Sequence, residues 1–256
     1  MKKNKYYFFQ ILSYDRIIVL GGGLMKKKSI IWLIGLIVSF IVFLNIFITI
    51  VNMHGAALEI DTKIHDYFIN VRGEKGNPLY YITNVITQLG SSYFFIICTI
   101  AICIIYKGNY KALAFFIGAC LVVILNQGIK RGVCRFRPSD IYYWTNEDGY
   151  SFPSGHSMIS SYLAVFGIYM LYDFKLKKSL RISLTVLFSL LIIIIPCTRL
   201  ILAVHYFTDV VAGSILSICI SLIVFELINQ FKTFNVLPNS IIIYLKNKFN
   251  KTKESN

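Results

Sequence analysis

Negative charge is scarce in this chain, which has 12 Asp and Glu against 26 Lys and Arg, and charge of either sign makes up only 15% of its 256 residues. A soluble domain carries about a quarter charged residues, so the shortage argues against one. The six cysteines form no CxxC pair and lie mostly inside apolar runs, which indicates neither a disulfide framework nor a thiolate metal site. No helix-turn-helix, zinc-ligand spacing or RNA-binding aromatic motif accompanies the net charge of +14, so nucleic acid does not explain the basic excess. There is no convincing internal repeat and no second domain. Histidine is also rare, at four residues: His54, His65, His156 and His205.

What the chain does have is apolar sequence. Hydrophobic residues make up 56% of it, in long runs separated by basic punctuation, as expected of a multi-span membrane protein. Six spans are predicted, at about Ile30 to Val51, Ile86 to Tyr106, Ala112 to Ile129, His156 to Tyr172, Ile182 to Cys197 and His205 to Phe225. The expected fold is therefore all-α, a six-span transmembrane helix bundle over residues 25–229, followed by a basic cytoplasmic tail over 230–256. Residues 1–24 admit three readings: a signal peptide, a cytoplasmic arm, or an upstream extension ahead of a true start at Met25. The last is preferred, because Gly21-Gly22-Gly23 just before Met25 is what a translated purine-rich ribosome-binding site looks like. Residues 53–85 read as a mixed loop, and His54 and His65 within it receive no role.

Loops after the first, third and fifth spans share one membrane face. The opposite face holds the N-terminal lysines, Lys107, Lys111, the cluster from Lys175 to Arg181 and the basic tail, so the positive-inside rule makes it cytoplasmic. Both termini are then cytoplasmic, in a cell membrane and on composition a bacterial one, and three polar blocks lie together on the extracytoplasmic face. The first block is Lys130-Arg-Gly-Val-Cys-Arg-Phe-Arg137-Pro138. On a helix Lys130 and Arg137 would share a face, although Pro138 biases Arg137 towards extended backbone. A point-charge Lys with a forked Arg suits phosphate, and a basic cluster snorkelling at a helix end is the alternative.

The second block, Pro153-Ser154-Gly155-His156, opens an apolar run. Its free N–H groups and the positive end of the helix dipole suit a phosphoryl group, and Gly155 allows close approach; an ordinary capping loop would look similar. The third block runs from Thr198 and Arg199 to His205 and Asp209. His205 and Asp209 are four apart, so on a helix they stack, leaving one imidazole nitrogen free as a nucleophile; such pairs are also commonly structural. Cys134 and Cys197 flank phosphate ligands on one face, and a disulfide and a pair of reduced thiols both remain open. Tyr142, Tyr143 and Trp144 read as interfacial anchors.

Together the three blocks, with their internal spacings, resemble the tripartite signature of the type-2 phosphatidic acid phosphatase superfamily, from the first span to about Phe225. Thr198 departs from the family's usual Ser. The resemblance implies a metal-independent hydrolase with no cofactor, working through a phosphohistidine. His205 is then the nucleophile, Asp209 orients it, and His156 is the leaving-group acid and later the base. Lys130, Arg137, Ser154, Gly155 and Arg199 bind the phosphoryl group. It further implies a membrane lipid phosphate or diphosphate as substrate, with undecaprenyl diphosphate, phosphatidylglycerophosphate and phosphatidate as candidates. The bilayer is the implied partner, with no nucleic acid and no obligate protein partner. A non-catalytic lipid transporter or flippase using the same basic site is the alternative, against which stand the clustering of ionisable residues at span ends and the lack of repeated halves.

Overall fold

The computed structural model describes residues 17–20, 23–174 and 176–233, with side chains from residue 33 to 232. The tail expected over 230–256 and most of the arm over 1–24 lie outside the described residues. A short antiparallel hairpin, β1 (Ile17–Leu20) and β2 (Gly23–Lys26), precedes the helices. Among the described residues the elements after it are helices: α1 (Lys27–Asn52), α2 (Glu59–Val71), α3 (Pro78–Thr87), α4 (Ser92–Ile105), α5 (Tyr110–Val133), α6 (Gly155–Asp173), α7 (Lys178–Ile201) and α8 (Phe207–Thr233). Single 3-10 turns at Gln88–Gly90 and Asp140–Tyr142 interrupt the connections.

Hydrophobicity is distributed inside out, as it must be when lipid is the solvent. Large apolar side chains on α1, α4, α5 and α7, such as Val38, Ile97, Ile124 and Ile193, are exposed, while buried positions on α6 include Ser157, Ser160 and Ser161. Among the described residues, four helices are long and apolar enough to cross a membrane: α1 from Leu33, α5, α7 and α8 to Lys232. The segments Pro78–Gly90 and Ser92–Ile105 make a fifth if counted as one span bent by 43°. The count of six expected from the sequence is thus not reached. Helix α6, the fourth predicted span, falls short because Ser157, Ser160, Ser161 and Tyr162 face protein rather than lipid, so its composition need not satisfy the bilayer.

Other boundaries shift for local reasons. The expected loop over 53–85 holds both α2 and α3. Asn77 caps α3 by accepting the Tyr80 N–H at 2.9 Å, and Pro78 fits the first turn, where its missing N–H costs nothing. Helix α7 runs through Pro196 and ends at Ile201, past the predicted stop at Cys197, which puts Arg199 in its last turn. Helix α5 ends at Val133 with Cys134 in the left-handed region at φ 51°, so Arg137 leaves the helix and the one-face geometry drawn for Lys130 and Arg137 does not apply. His205 likewise lies in the turn before α8 rather than on it. Cys134 and Cys197 are free thiols.

The centre of the bundle is where α6 meets α5, α7 and α8. The Phe115 ring stacks on Tyr162 at 5.2 Å and packs on Phe166 at 4.4 Å, and the Tyr162 hydroxyl donates to the Phe115 carbonyl at 2.7 Å. Small residues make this approach possible, because van der Waals fit rather than water expulsion holds helices together in lipid. At the end of the bundle that holds the start of α5, Lys111 pairs with both Asp173 oxygens at 2.6 and 2.7 Å, and the Tyr106 hydroxyl donates to the same carboxylate at 2.9 Å. Gly118 is the tightest of the helix contacts: a Cβ there would collide with the Tyr162 hydroxyl and with Val224 of α8. Gly118→Ala should therefore destabilise the folded protein by about 1–3 kcal/mol, read as a lower midpoint of thermal unfolding in detergent. An unchanged midpoint would contradict this packing.

Candidate active site

Backbone hydrogen bonds stitch the three polar blocks together. The Ser151 N–H donates to the Arg135 carbonyl at 2.8 Å, and the Ser154 N–H donates to the Asp209 carbonyl at 3.0 Å. Lys130 Nζ reaches the Tyr150 carbonyl at 2.6 Å, and the buried Asn126 amide donates to the Pro153 carbonyl at 3.0 Å. Gly213 of α8 sits where a Cβ would come within 2.7 Å of the Ser154 carbonyl, so only a glycine lets α8 close against this turn. The result is a pocket of about 240 Å³ whose lining includes Lys130, Arg137, Gly155, His156 and His205. Glu147 and Asp148 complete its polar side, and Val122, Val123 and Ile159 form an apolar one.

His205 is almost fully buried, and its two nitrogens face different partners. Nε2 is 3.1 Å from Arg137 Nη1, a group that can only donate, so Nε2 carries the lone pair and the ring proton belongs on Nδ1. Nδ1 lies 3.4 Å from Asp209 Oδ2, which accepts the Tyr206 N–H at 2.9 Å, and itself makes no hydrogen bond. Burial, then Arg137, Lys130, Arg199 and His156, hold the imidazole well below its ordinary value of 6.5. The ring is consequently neutral near neutral pH.

The cations are held by different means. Arg137 spends Nε on the Gly149 carbonyl at 3.0 Å, Nη2 on the Asp148 carbonyl at 3.0 Å and Nη1 on the Val204 carbonyl at 2.8 Å, which pins its plane across the pocket. Arg199, at the end of α7, donates to Thr87 Oγ1 at 2.9 Å and to Glu147, and its buried Nε has no partner. Ser154 departs from the role expected of it. It is fully buried, and its hydroxyl oxygen accepts the Ser157 N–H at 3.4 Å and is 3.0 Å from the Ser157 hydroxyl, so it serves as the N-cap of α6. Thr198 gives its hydroxyl to the Ile195 carbonyl at 2.6 Å beside Pro196. Trp144 is no interfacial anchor: it is buried, packs against Leu202 and Val204 and lies under Arg72 at 4.6 Å.

Several residues given no part by the sequence turn out to frame the site. Arg135 is fully buried between two carboxylates, with Nη1 2.6 Å from Asp209 Oδ1 and Nη2 2.6 Å from Asp61 Oδ2. Thr208 closes the ring, accepting from Arg135 Nη1 at 2.8 Å and donating its N–H to Asp61 Oδ1 at 2.9 Å. Asp61 is the third residue of α2, also fully buried, and it accepts the Leu58 N–H at 3.1 Å. The signal for Arg135 was its position two residues before Arg137. Asp61 gave none, because its partners lie 74 and 147 residues away. His65 on α2 packs on the rings of Tyr142 and Tyr206 and stays outside the pocket lining.

Comparison with known proteins follows the same blocks. The family model of the PAP2 superfamily matches residues 111–232. Phosphatidylglycerophosphatase B of Bacillus subtilis is 25% identical over 153 residues, which is 58% of this chain and 75% of that protein. Among solved structures, the transmembrane PAP2-type phosphatidylglycerolphosphate phosphatase of B. subtilis superposes with a TM-score of 0.66 at 22% identity, over 76% of this chain and 96% of that one. Aquifex aeolicus LpxE gives 0.55 at 19% identity, over 66% and 96%.

The ion pairs of Arg135 generate a prediction. Removing one carboxylate leaves a buried guanidinium half compensated, which typically costs about 3–5 kcal/mol. Asp61→Ala should therefore lower the thermal midpoint more than Glu59→Ala, which removes an exposed carboxylate from the same helix. Equal midpoints for the two variants would mean that the Asp61–Arg135 pair carries no such weight.

Proposed function

We propose that this chain, whose residues 111–232 match the PAP2 superfamily and whose long apolar helices suit a multi-pass membrane protein, is a lipid phosphatase that hydrolyses a phosphate or diphosphate headgroup through a phosphohistidine. The observation that carries the reading is the convergence on one pocket of Lys130 and Arg137 from the first block, His156 from the second and His205 from the third. His205 Nε2 attacks phosphorus with its lone pair. Burial and the cations Arg199, Lys130 and Arg137 keep His156 neutral before substrate binds. It takes up a proton as the anionic phosphoryl group offsets those charges, and donates it to the departing oxygen as the P–O bond to the leaving group breaks. His156 then takes a proton from water as its oxygen attacks phosphorus, the P–N bond breaks, and phosphate leaves. Lys130, Arg137 and Arg199 oppose the charge that develops on the phosphoryl oxygens, aided by the Gly155 N–H at the start of α6. Asp209 holds the Nδ1 proton and so keeps Nε2 nucleophilic.

We further propose six crossings, with α6 as a central crossing shielded by protein, and place the pocket on the extracytoplasmic face with both termini in the cytoplasm. The distribution of basic loops supports that orientation. A pocket with one apolar side, formed by residues of α5 and α6, suits a substrate whose phosphate reaches the site while its chains remain in the bilayer. Phosphatidylglycerophosphate is the leading substrate, since the curated relative bears that name; undecaprenyl diphosphate and phosphatidate follow. No sequence feature supports a transporter beyond the basic site itself.

The test is phosphate release from a panel of lipid phosphates and diphosphates by purified protein in detergent. With a chelator present throughout, turnover should persist. His205→Ala should lower it by at least about 10³-fold and abolish the acid-labile phosphoenzyme, while the protein remains folded. Activity lost to EDTA and restored by a divalent ion would overturn the metal-independent reading, and an active His205→Ala would overturn the nucleophile.

The pH dependence follows from the same imidazole. A histidine held below its ordinary value is unprotonated, and hence nucleophilic, from neutral pH down through 6.5. The acid limb of phosphoenzyme formation should therefore lie below pH 6.5, when followed by rapid quench with a substrate whose phosphate does not titrate in that range. A limb above 6.5 would contradict a buried, cation-surrounded nucleophile.

A further inference from the structure

One carboxylate in the pocket occupies the position that a phosphoryl group needs. Glu147 lies in the connection between the turn Asp140–Tyr142 and α6, and its side chain is 24% exposed. One of its oxygens pairs with Arg199 Nη2, and the other is 3.7 Å from Arg137 Nη2. Both guanidinium side chains are nearly buried, at 1% and 7% exposure, so an anion is needed between them. Two oxygens on one centre, shared between two forks, is also how a phosphate monoester meets a pair of arginines. Glu147 lines the same pocket as Lys130, His156 and His205.

We infer that Glu147 is an internal competitor for the phosphate site: it neutralises Arg199 and Arg137 while the site is empty, and the phosphoryl group displaces it on binding. A phosphoryl dianion and a carboxylate on the same two guanidiniums repel at close range, so one must leave. Asp209 and Asp61 cannot, since each is fully buried and held by Arg135 and a backbone N–H. Glu147 can, because it hangs from a loop at the partly exposed rim of the pocket. Competition of this kind weakens the binding of free phosphate more than that of a lipid phosphate, whose chains contribute affinity of their own. It therefore limits product inhibition and speeds release. Glu147 is on this account a specificity-determining residue, and the inference rests on the phosphatase reading above.

The test measures equilibrium binding of inorganic phosphate and of orthovanadate to the full-length protein in detergent, which requires no turnover. Glu147→Gln should tighten both by about ten-fold or more, since a charge-assisted bond no longer has to be broken. Glu147→Asp keeps the charge but is one methylene too short to hold Arg199, and it should tighten them as well. In steady state both variants should show a lower KM with a lower kcat, as release slows. Glu74→Gln, which removes an exposed carboxylate of the same chain, should leave both affinities unchanged. Tightening in Glu147→Gln alone would be long-range repulsion and would overturn displacement, as would unchanged or weaker binding in both. A wild type that hydrolyses lipid phosphates while its variants fail to tighten sinks only this inference. A wild type that neither hydrolyses them nor binds phosphate sinks the phosphatase reading with it.

Discussion

The buried charge of Arg135 is the constraint around which the polar end of the bundle is arranged. A guanidinium with no solvent contact must find its full complement of acceptors inside the protein, and it finds two carboxylates, a threonine hydroxyl and the carbonyls of Gly55 and Ala56. The partners come from three elements: Asp61 from α2, Asp209 and Thr208 from the first turn of α8, and the carbonyls from the turn after α1. Satisfying one side chain therefore fixes the relative positions of three parts of the chain. Asp209 also lies 3.4 Å from His205 Nδ1, so the network that ties α8 to α2 reaches the imidazole in the pocket. Such a network is not evidence of large net stability, because desolvation offsets most of the Coulomb gain. What it supplies is a single arrangement.

Charge in the pocket is layered. Arg135, with two carboxylates, is neutralised and structural. Arg137 and Arg199 share the single carboxylate of Glu147, and Arg137 is otherwise tied to neutral carbonyls. The second layer is thus left with surplus positive charge beside His205, which adds to burial in holding that imidazole below its ordinary value. The surplus that suits the pocket to an anion therefore also helps to keep the ring neutral.

The site was more legible in the sequence than the fold that carries it. Lys130, Arg137, Gly155, His156 and His205 line one pocket, because blocks with fixed internal spacing carry their geometry locally. For Ser154 the residues left two uses open, since a serine before a helix can bind an anion or cap the helix, and the structure shows the cap. Helix α6 passed as an ordinary span, since a run of uncharged residues looks the same whether lipid or protein surrounds it. Asp61 and Glu147 were invisible for another reason. Their partners are distant in the chain, and a carboxylate in a polar loop reads as solvated until the fold shows what it faces.

The spacing of the Arg135 network has a consequence for how the protein is made. Asp61 precedes Arg135 by 74 residues and Asp209 follows it by 74, so the arginine is synthesised midway between its two counter-charges. While α5 and α6 are entering the membrane, only the first carboxylate exists. The guanidinium then waits, half neutralised, for the final helix to leave the ribosome. A chain that ends before α8 leaves that cation half compensated, and the arrival of Asp209 completes the pair. Closing of the last helix and full neutralisation of Arg135 are therefore one event.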